Sequence, residues 1–282
     1  MDTLLEPFRY AFFRHALAVA VLAGGLCGLV GVYVVLRGMS YIGHGLSHAI
    51  FGGAVASYVM GVNFDLGAGA WGLVAALLIN RVARRRTIGA DAAIGVVTNA
   101  SFAAGIVLIS VVRSFTRNFE AALFGNVLGV TLADVAVVAG VAAFAAAVVF
   151  FRYRQLLFST FDPEVAEVSG VDVARTDLLL ALVLAATITA TMNVMGVTLI
   201  AAALVIPPVI ARLVTDSFAR MLGISVGVGV ACGFVGVYAS YHLDWSSGGS
   251  VVLTATAIFV AAYAASALRR RRLPSGAADV HV

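Results

Sequence analysis

The chain has 282 residues, of which 62% are hydrophobic and 11% charged, and its mean hydropathy is +1.04. A soluble domain of this size needs more charge on its surface, so the composition excludes that class. The formal net charge of +4 rests on 18 arginines, and the absence of lysine excludes an ATP-hydrolysing P-loop, which needs a lysine at the phosphates.

Nine apolar segments follow one another along the chain, and most are long enough to cross a hydrocarbon layer of about 30 Å. The alternation that marks a membrane barrel is absent. We therefore predict an all-α polytopic membrane protein of about nine transmembrane helices, with eight or ten as alternatives. The fifth segment is long enough to include a re-entrant or interfacial piece. The segments are 15–36, 41–61, 66–80, 89–111, 121–151, 174–192, 195–213, 221–241 and 248–268.

The placement of the arginines predicts the orientation. With the N-terminus outside and the C-terminus inside, 14 of the 18 arginines lie on the cytoplasmic side, and the opposite orientation reverses that ratio. We therefore predict a multi-pass protein of the inner (plasma) membrane with a cytoplasmic C-terminus. Residues 1–272 are predicted to form a single transmembrane domain, and residues 273–282 a short disordered cytoplasmic tail.

Two histidines, His44 and His48, lie one helical turn apart in the glycine-rich second segment. This spacing places both imidazoles on one face of a helix. Ionisable groups at membrane depth are costly and tend to mark a transport path, and neutral imidazole binds zinc and other transition metals. An incomplete site suits transit, because the ion must leave again. The alternative is that each imidazole bonds a nearby carbonyl within a packed bundle.

The connector between the fifth and sixth segments is predicted to carry a short capped helix near residues 162–170. Asp162 suits the N-cap, Pro163 the first helical position and Glu164 the positive end of the helix dipole. Gly170 can then close the helix. A short, rigid helix on this loop could transmit force from a cytoplasmic domain that drives transport. The alternative is an ordinary capped connector.

Pro207 and Pro208 fall inside the seventh segment. Proline removes a backbone donor and bends a helix, so we predict an interrupted span at this point. Broken membrane helices often line a cavity, which would place the prolines in a transport path. A packing kink with no transport role is the equally weighted alternative.

Small residues recur at four-residue spacing in two segments and predict close helix packing. In lipid such faces allow helices to approach closely, because packing replaces the hydrophobic driving force. We expect packing within the chain rather than a dimer seam. The sets are Gly45/Ala49/Gly53, Gly223/Gly227 and Ser225/Gly229/Gly233.

Taken together, these patterns resemble the zinc/manganese ABC transporter permease family over nearly the whole chain. The most specific matches are the arginine, methionine and serine at 37, 39 and 40, followed by the serine–histidine–alanine at 47–49. The phenylalanine–aspartate–proline–glutamate that begins at Phe161 is nearly as specific. The segments that carry the resemblance are 37–53, 91–106, 123–129, 161–170, 196–213 and 240–253.

The resemblance implies a non-catalytic transport subunit, with ATP hydrolysis on a separate chain. Its implied partners are a second copy of itself, cytoplasmic ATP-binding subunits, an extracytoplasmic metal-binding protein and the lipid membrane, with no nucleic acid. It implies that the positions of His44 and His48 line the metal path and that the segment from Phe161 to Gly170 is the coupling helix. No cofactor is bound permanently, because the metal is the cargo.

Two positions depart from the family pattern. The family commonly has an aspartate where this chain has His44, and replacing a carboxylate by an imidazole favours a softer ion, which predicts zinc ahead of manganese. The last loop has Trp245, Ser246 and Ser247 where a proline is usual.

Other classes remain as alternatives. A permease for chelated iron, cobalamin or another siderophore-like ligand would need a wide cavity and no paired histidines. A proton-coupled secondary metal carrier would be expected to hold several intramembrane acids or an inverted repeat, and the sequence has neither. A membrane scaffold without transport would leave the two histidines replaceable.

Overall fold

The computed structural model describes residues 5–83, 90–111, 125, 127–196 and 199–272. Within those ranges every regular element is a helix, with 3-10 turns at Glu6–Arg9 and Val127–Gly129. The all-α prediction is therefore confirmed. The α-helices are α1 (Ala11–Leu36), α2 (Ser40–Val59), α3 (Phe64–Ala83), α4 (Ala90–Val111), α5 (Leu132–Phe151), α6 (Tyr153–Phe161), α7 (Pro163–Val168), α8 (Val173–Met195), α9 (Ile200–Val214), α10 (Phe218–Leu243) and α11 (Ser247–Arg272).

Six of the described helices, α1, α4, α5, α8, α10 and α11, are long and apolar enough to cross a membrane. This fits a polytopic membrane protein, but it does not confirm nine spans. The apolar stretches Leu66–Ile79 and Ile200–Val214 are shorter. Helix α2 has 20 residues, but its two histidines and its serines lower its hydropathy.

The fifth predicted segment, 121–151, is shorter in the structure than in the sequence prediction. Helix α5 begins at Leu132, where Thr131 and Asp134 form a reciprocal capping box. A 3-10 turn at Val127–Gly129 precedes it. Residues 121–124 and the predicted tail at 273–282 lie outside the described residues.

Helix α1 is the central element of the bundle. In its apolar stretch 72% of the residues are buried, against 11% in both α5 and α11. A helix that is apolar on every side is stable only when other helices surround it or lipid does, and here α5, α8, α9 and α10 pack around it. The outer helices α5 and α11 leave most of their surface for lipid or for another chain.

Small residues bring α1 and α10 into backbone contact. Gly24 lies against Gly229, so that a Cβ on either residue would overlap the backbone of the other. One turn away, the Ser225 hydroxyl donates a 2.6 Å hydrogen bond to the carbonyl oxygen of Gly28. The Ser225/Gly229/Gly233 set thus packs within the chain, as predicted. Gly223, by contrast, has open space around it.

Close contacts at small residues also hold α2 between α3 and α4. A Cβ at Gly45 would lie 2.6 Å from Ile94 and 2.8 Å from Thr98. A Cβ at Gly52 would overlap the backbone of Ser101. Because both contacts advance in the same direction along the two helices, α2 and α4 run parallel, and the face of α2 beside α4 is held in a fixed position.

Candidate functional site

The two histidines of α2 form a continuous ring face with Tyr41, which we call the histidine face (Tyr41, His44 and His48). The imidazole centroids of His44 and His48 are 4.5 Å apart, edge to face, and the ring of Tyr41 is 5.7 Å from that of His44. Both histidines are half-buried, and Tyr41 is exposed. The four-residue spacing on the helix therefore brings the two imidazoles together, as the sequence predicts.

The imidazole of His48 is closely packed, but one of its nitrogens lacks a hydrogen-bond partner among the described residues. The ring of Phe102, from α4, meets it edge to face at 4.7 Å. Its Nδ1 atom is buried and has no hydrogen-bond partner among the described residues. A buried nitrogen without a partner costs about 1–3 kcal/mol, and a metal ion or a polar ligand would remove that cost. For His48 Nδ1, this observation argues against a simple bond to a nearby carbonyl.

The two imidazoles alone would fill only part of a metal coordination shell. Across the described residues, no group of three or more histidines, cysteines and acids could hold an ion. Cys27 and Cys232 are both buried as free thiols. Two imidazoles without a third ligand make a weak site, which suits an ion in transit more than a stored one.

A large cavity lies elsewhere in the bundle. It has a volume of about 620 Å³ and opens between α3, α5 and α8, with Asn63, Asp134 and Thr189 as polar groups in an apolar lining. The histidine face does not border it. Its size suits a small organic ligand, but it brings together none of the residues that the sequence predicts for the site.

An arginine that the sequence reasoning left without a role ties three elements together. Arg37 follows the last residue of α1, and its guanidinium donates to Asp177 Oδ1 at 2.6 Å, to Ser159 Oγ at 2.8 Å and to Thr160 Oγ1 at 3.2 Å. We call this group the arginine bracket (Arg37, Ser159, Thr160 and Asp177). The Arg37 and Asp177 side chains are only 12% and 22% exposed. In the sequence, the only sign of this role was the position of a single arginine at the end of an apolar span.

The predicted capped helix is present as α7. The Asp162 carboxylate accepts a 3.0 Å hydrogen bond from the backbone N–H of Val165, and Pro163 occupies the first turn with Glu164. Gly170 has a φ of +83°, which a glycine adopts without strain, and it follows the end of the helix as expected. The cap and the stop signal were thus read correctly from the sequence.

The outer surface of this connector is exposed. Val165 and Val168 of α7 face outward, whereas Ala166 is buried. Phe161, at the end of α6, is exposed on one side and has its ring 6.0 Å from that of Phe218 at the start of α10. An exposed apolar knob of this kind is available to a protein partner.

Helix α9 contains the two prolines without ending at them. It runs as one helix over Ile200–Val214, and both Pro207 and Pro208 are buried. A Cβ on Gly31 of α1 would lie 3.2 Å from Pro208 Cγ, so this proline packs against α1. The interruption of regular helix falls before α9, where Gly196 ends α8 with a φ of +78°. A role for the prolines in a transport path stays a prediction.

The sequence pattern of the ABC 3 transport family matches residues 9–266 of the chain. A manganese transport system membrane protein, MntC, of Halalkalibacterium halodurans is 37% identical over 262 residues, which cover 93% of this chain and 89% of that protein. A probable iron transport system membrane protein of Haemophilus influenzae is 34% identical over 270 residues, which cover 96% and 99% of the two chains.

A solved structure is also similar over almost the full length. It is PsaBC from Streptococcus pneumoniae in complex with a Fab, and it superimposes with a TM-score of 0.83 at 32% sequence identity. The match covers 93% of this chain and 95% of that one. The helices that position the histidine face and the arginine bracket thus have counterparts in a known arrangement.

Proposed function

This chain belongs to the ABC 3 transport family and is a permease subunit of a metal-type ABC importer; on that premise we propose that it carries divalent manganese past His44 and His48. The observation that carries the proposal is the adjacent pair of imidazoles with a buried, unpartnered Nδ1 on His48. A permease moves its cargo without chemical change, so no catalytic residue is assigned.

Manganese is proposed ahead of zinc. The sequence analysis favoured zinc because an imidazole stands at position 44, but the relatives described above are named for manganese and iron transport. Family membership supports manganese more directly than one ligand change supports zinc. Imidazole also suits iron and binds manganese more weakly than zinc, so the histidine face is compatible with the passage of these ions.

The complex is proposed to contain two copies of this chain. One chain offers two imidazoles, and a facing copy would bring four to a passing ion. The exposed apolar surface of α7, which includes Val165 and Val168, is proposed to bind the cytoplasmic ATP-binding subunit. An extracytoplasmic metal-binding protein would deliver the ion at the opposite end. The distribution of arginines supports an inner-membrane location with a cytoplasmic C-terminus.

The test is uptake of radioactive manganese by cells that express the whole transporter. We expect the double variant His44→Ala, His48→Ala, at equal membrane abundance, to lose manganese uptake by about tenfold or more, since ligands that act as a unit are not replaced by alanine. The matched control is His242→Ala, because His242 is exposed at the end of α10 and is not part of the histidine face. Unchanged uptake in the double variant would contradict the proposed path.

The same assay separates the alternatives. Uptake that persists without the ATP-binding subunit would identify a secondary carrier. Uptake of chelated iron that survives loss of both histidines would identify a chelate permease, whose ligand would then be sought in the 620 Å³ cavity. Competition by unlabelled zinc, manganese and ferrous iron ranks the three ions directly.

A further inference from the structure

Helix α4 carries an exposed amide in the middle of an apolar stretch. Asn99 lies within Ile94–Val111, a segment of mean hydropathy 2.0, and its side chain is exposed in the isolated chain. A polar side chain at membrane depth is costly against lipid and normally faces protein or a water-filled path. Asn99 was not among the residues singled out from the sequence.

The side of α4 on which Asn99 lies follows from its neighbours. Thr98 and Ser101 are buried on the face that packs against α2. Phe102 lies at the flank of that face, where its ring meets His48. Asn99 precedes Phe102 by three residues and is therefore its neighbour along the same flank. The flank that bears Asn99 is the one that borders the histidine face.

The height of Asn99 along the bundle matches that of His48. Gly45 of α2 contacts Ile94 and Thr98 of α4, and Gly52 contacts Ser101. Because the helices run parallel, His48, which lies between Gly45 and Gly52, is level with the turn of α4 between Thr98 and Ser101. That turn holds Asn99.

This flank of α4 has open space beside it at Gly95. Gly95 lies one turn before Asn99 on the same side of α4, and a Cβ placed there would meet no heavy atom within 4 Å. A glycine at this point leaves room beside the rings of α2. Asn99 and the two histidines thus lie on the same side of the packed pair α2 and α4, at neighbouring heights along the helices.

From this placement we propose that Asn99 supplies an amide oxygen to the ion that passes His44 and His48, and that it favours manganese over zinc. The inference rests on the proposed function and assigns a second helix to the same path. Carbonyl and carboxylate oxygens suit manganese, whereas a site of imidazoles alone suits zinc better. An oxygen from α4 thus supplies the hard ligand that the imidazole at position 44 does not.

The test compares manganese and zinc uptake by the complete transporter carrying Asn99→Leu, Asn99→Asp or Ser110→Ala. Leucine keeps the volume without the oxygen, aspartate keeps the oxygen, and Ser110 is an exposed polar residue nearer the end of α4. We expect Asn99→Leu to lower the ratio of manganese to zinc uptake by about tenfold, which corresponds to ~1.4 kcal/mol of discrimination. Asn99→Asp should keep or raise the ratio, and Ser110→Ala should leave it unchanged.

Assembly is measured beside uptake, because an asparagine can also bond across two helices. If Asn99→Leu prevents the complex from assembling, or if manganese and zinc uptake fall together by the same factor, Asn99 is a structural contact and the inference is overturned. An unchanged ratio overturns it too. If the double histidine variant transports normally, the proposed path fails; if that variant is inactive and the Asn99→Leu ratio is unchanged, only the inference about Asn99 fails.

Discussion

Arg37 of the arginine bracket lies close in sequence to the histidine face, yet the two groups satisfy their polar atoms in opposite ways. In the bracket each of the three guanidinium nitrogens of Arg37 donates to a side-chain oxygen. On the histidine face the buried Nδ1 of His48 has no partner in the described part of the chain. The fully hydrogen-bonded network around Arg37 is suited to hold helices together. The unpartnered nitrogen of His48, in a packed setting, is suited to bind a ligand.

The arginine bracket also connects α7 and its neighbours to the start of α2. Arg37 fixes the end of α1 to α6 and α8, which flank the exposed helix α7. Helix α2 begins three residues after Arg37 and carries the histidines. Arg37 therefore joins the start of α2 to the two helices on either side of α7 through charged hydrogen bonds.

The largest effect is expected from breaking the packing that supports the histidine face. In Gly52→Leu the new side chain overlaps the backbone of Ser101, and neither helix backbone can move aside cheaply. We expect α2 and α4 to separate, with the free energy of unfolding falling by about 3 kcal/mol. Thermal unfolding in detergent and the yield of folded protein in membranes measure it.

The matched control for this change is Gly223→Leu on α10. A Cβ at Gly223 meets no heavy atom within 4 Å, and leucine is a better helix former than glycine. Its unfolding temperature should therefore equal that of the unaltered protein or exceed it. Equal loss of stability in both variants would show that the α2–α4 contact is not special.

The arginine bracket should give the next largest effect. Arg37→Ala removes a mostly buried ion pair with Asp177 and the hydrogen bonds to Ser159 and Thr160, and we expect a loss of about 2 kcal/mol in the free energy of unfolding. Arg175→Ala removes an ion pair with Asp172 whose side chains are 86% and 50% exposed, so its cost should be small. Thermal unfolding of the two variants side by side tests this contrast, and a larger loss for Arg175→Ala would refute it.

The smallest effect is expected at the cap of α7. Asp162→Ala removes the acceptor for the Val165 amide, which typically costs about 1 kcal/mol and acts locally. We expect faster hydrogen exchange of the backbone amides of residues 164–168, with little change in the unfolding temperature. Asp162→Asn keeps a capping oxygen and should exchange like the unaltered protein. If the alanine variant exchanges at the same slow rate, another contact holds the helix.

Several features were predictable because they depend only on neighbours in the chain. Asp162 and Pro163 mark a helix start wherever they occur together, and the spacing of His44 and His48 places their rings on one face. The count of spans was less secure, because α2 combines histidines with glycines and serines and is not clearly apolar. The prolines of α9 were expected to interrupt a helix that in fact continues through them.

The sequence by itself determined the helical membrane class, the capped connector and the pairing of the imidazoles, since composition and helical period are local properties. Only the tertiary structure decided that Phe102 closes over His48 and that Arg37 pairs with Asp177, 140 residues away. The reason is physical. In lipid the apolar pattern does not direct one helix to another, so partners are chosen by close packing of small residues and by polar bonds that form only in the assembled bundle.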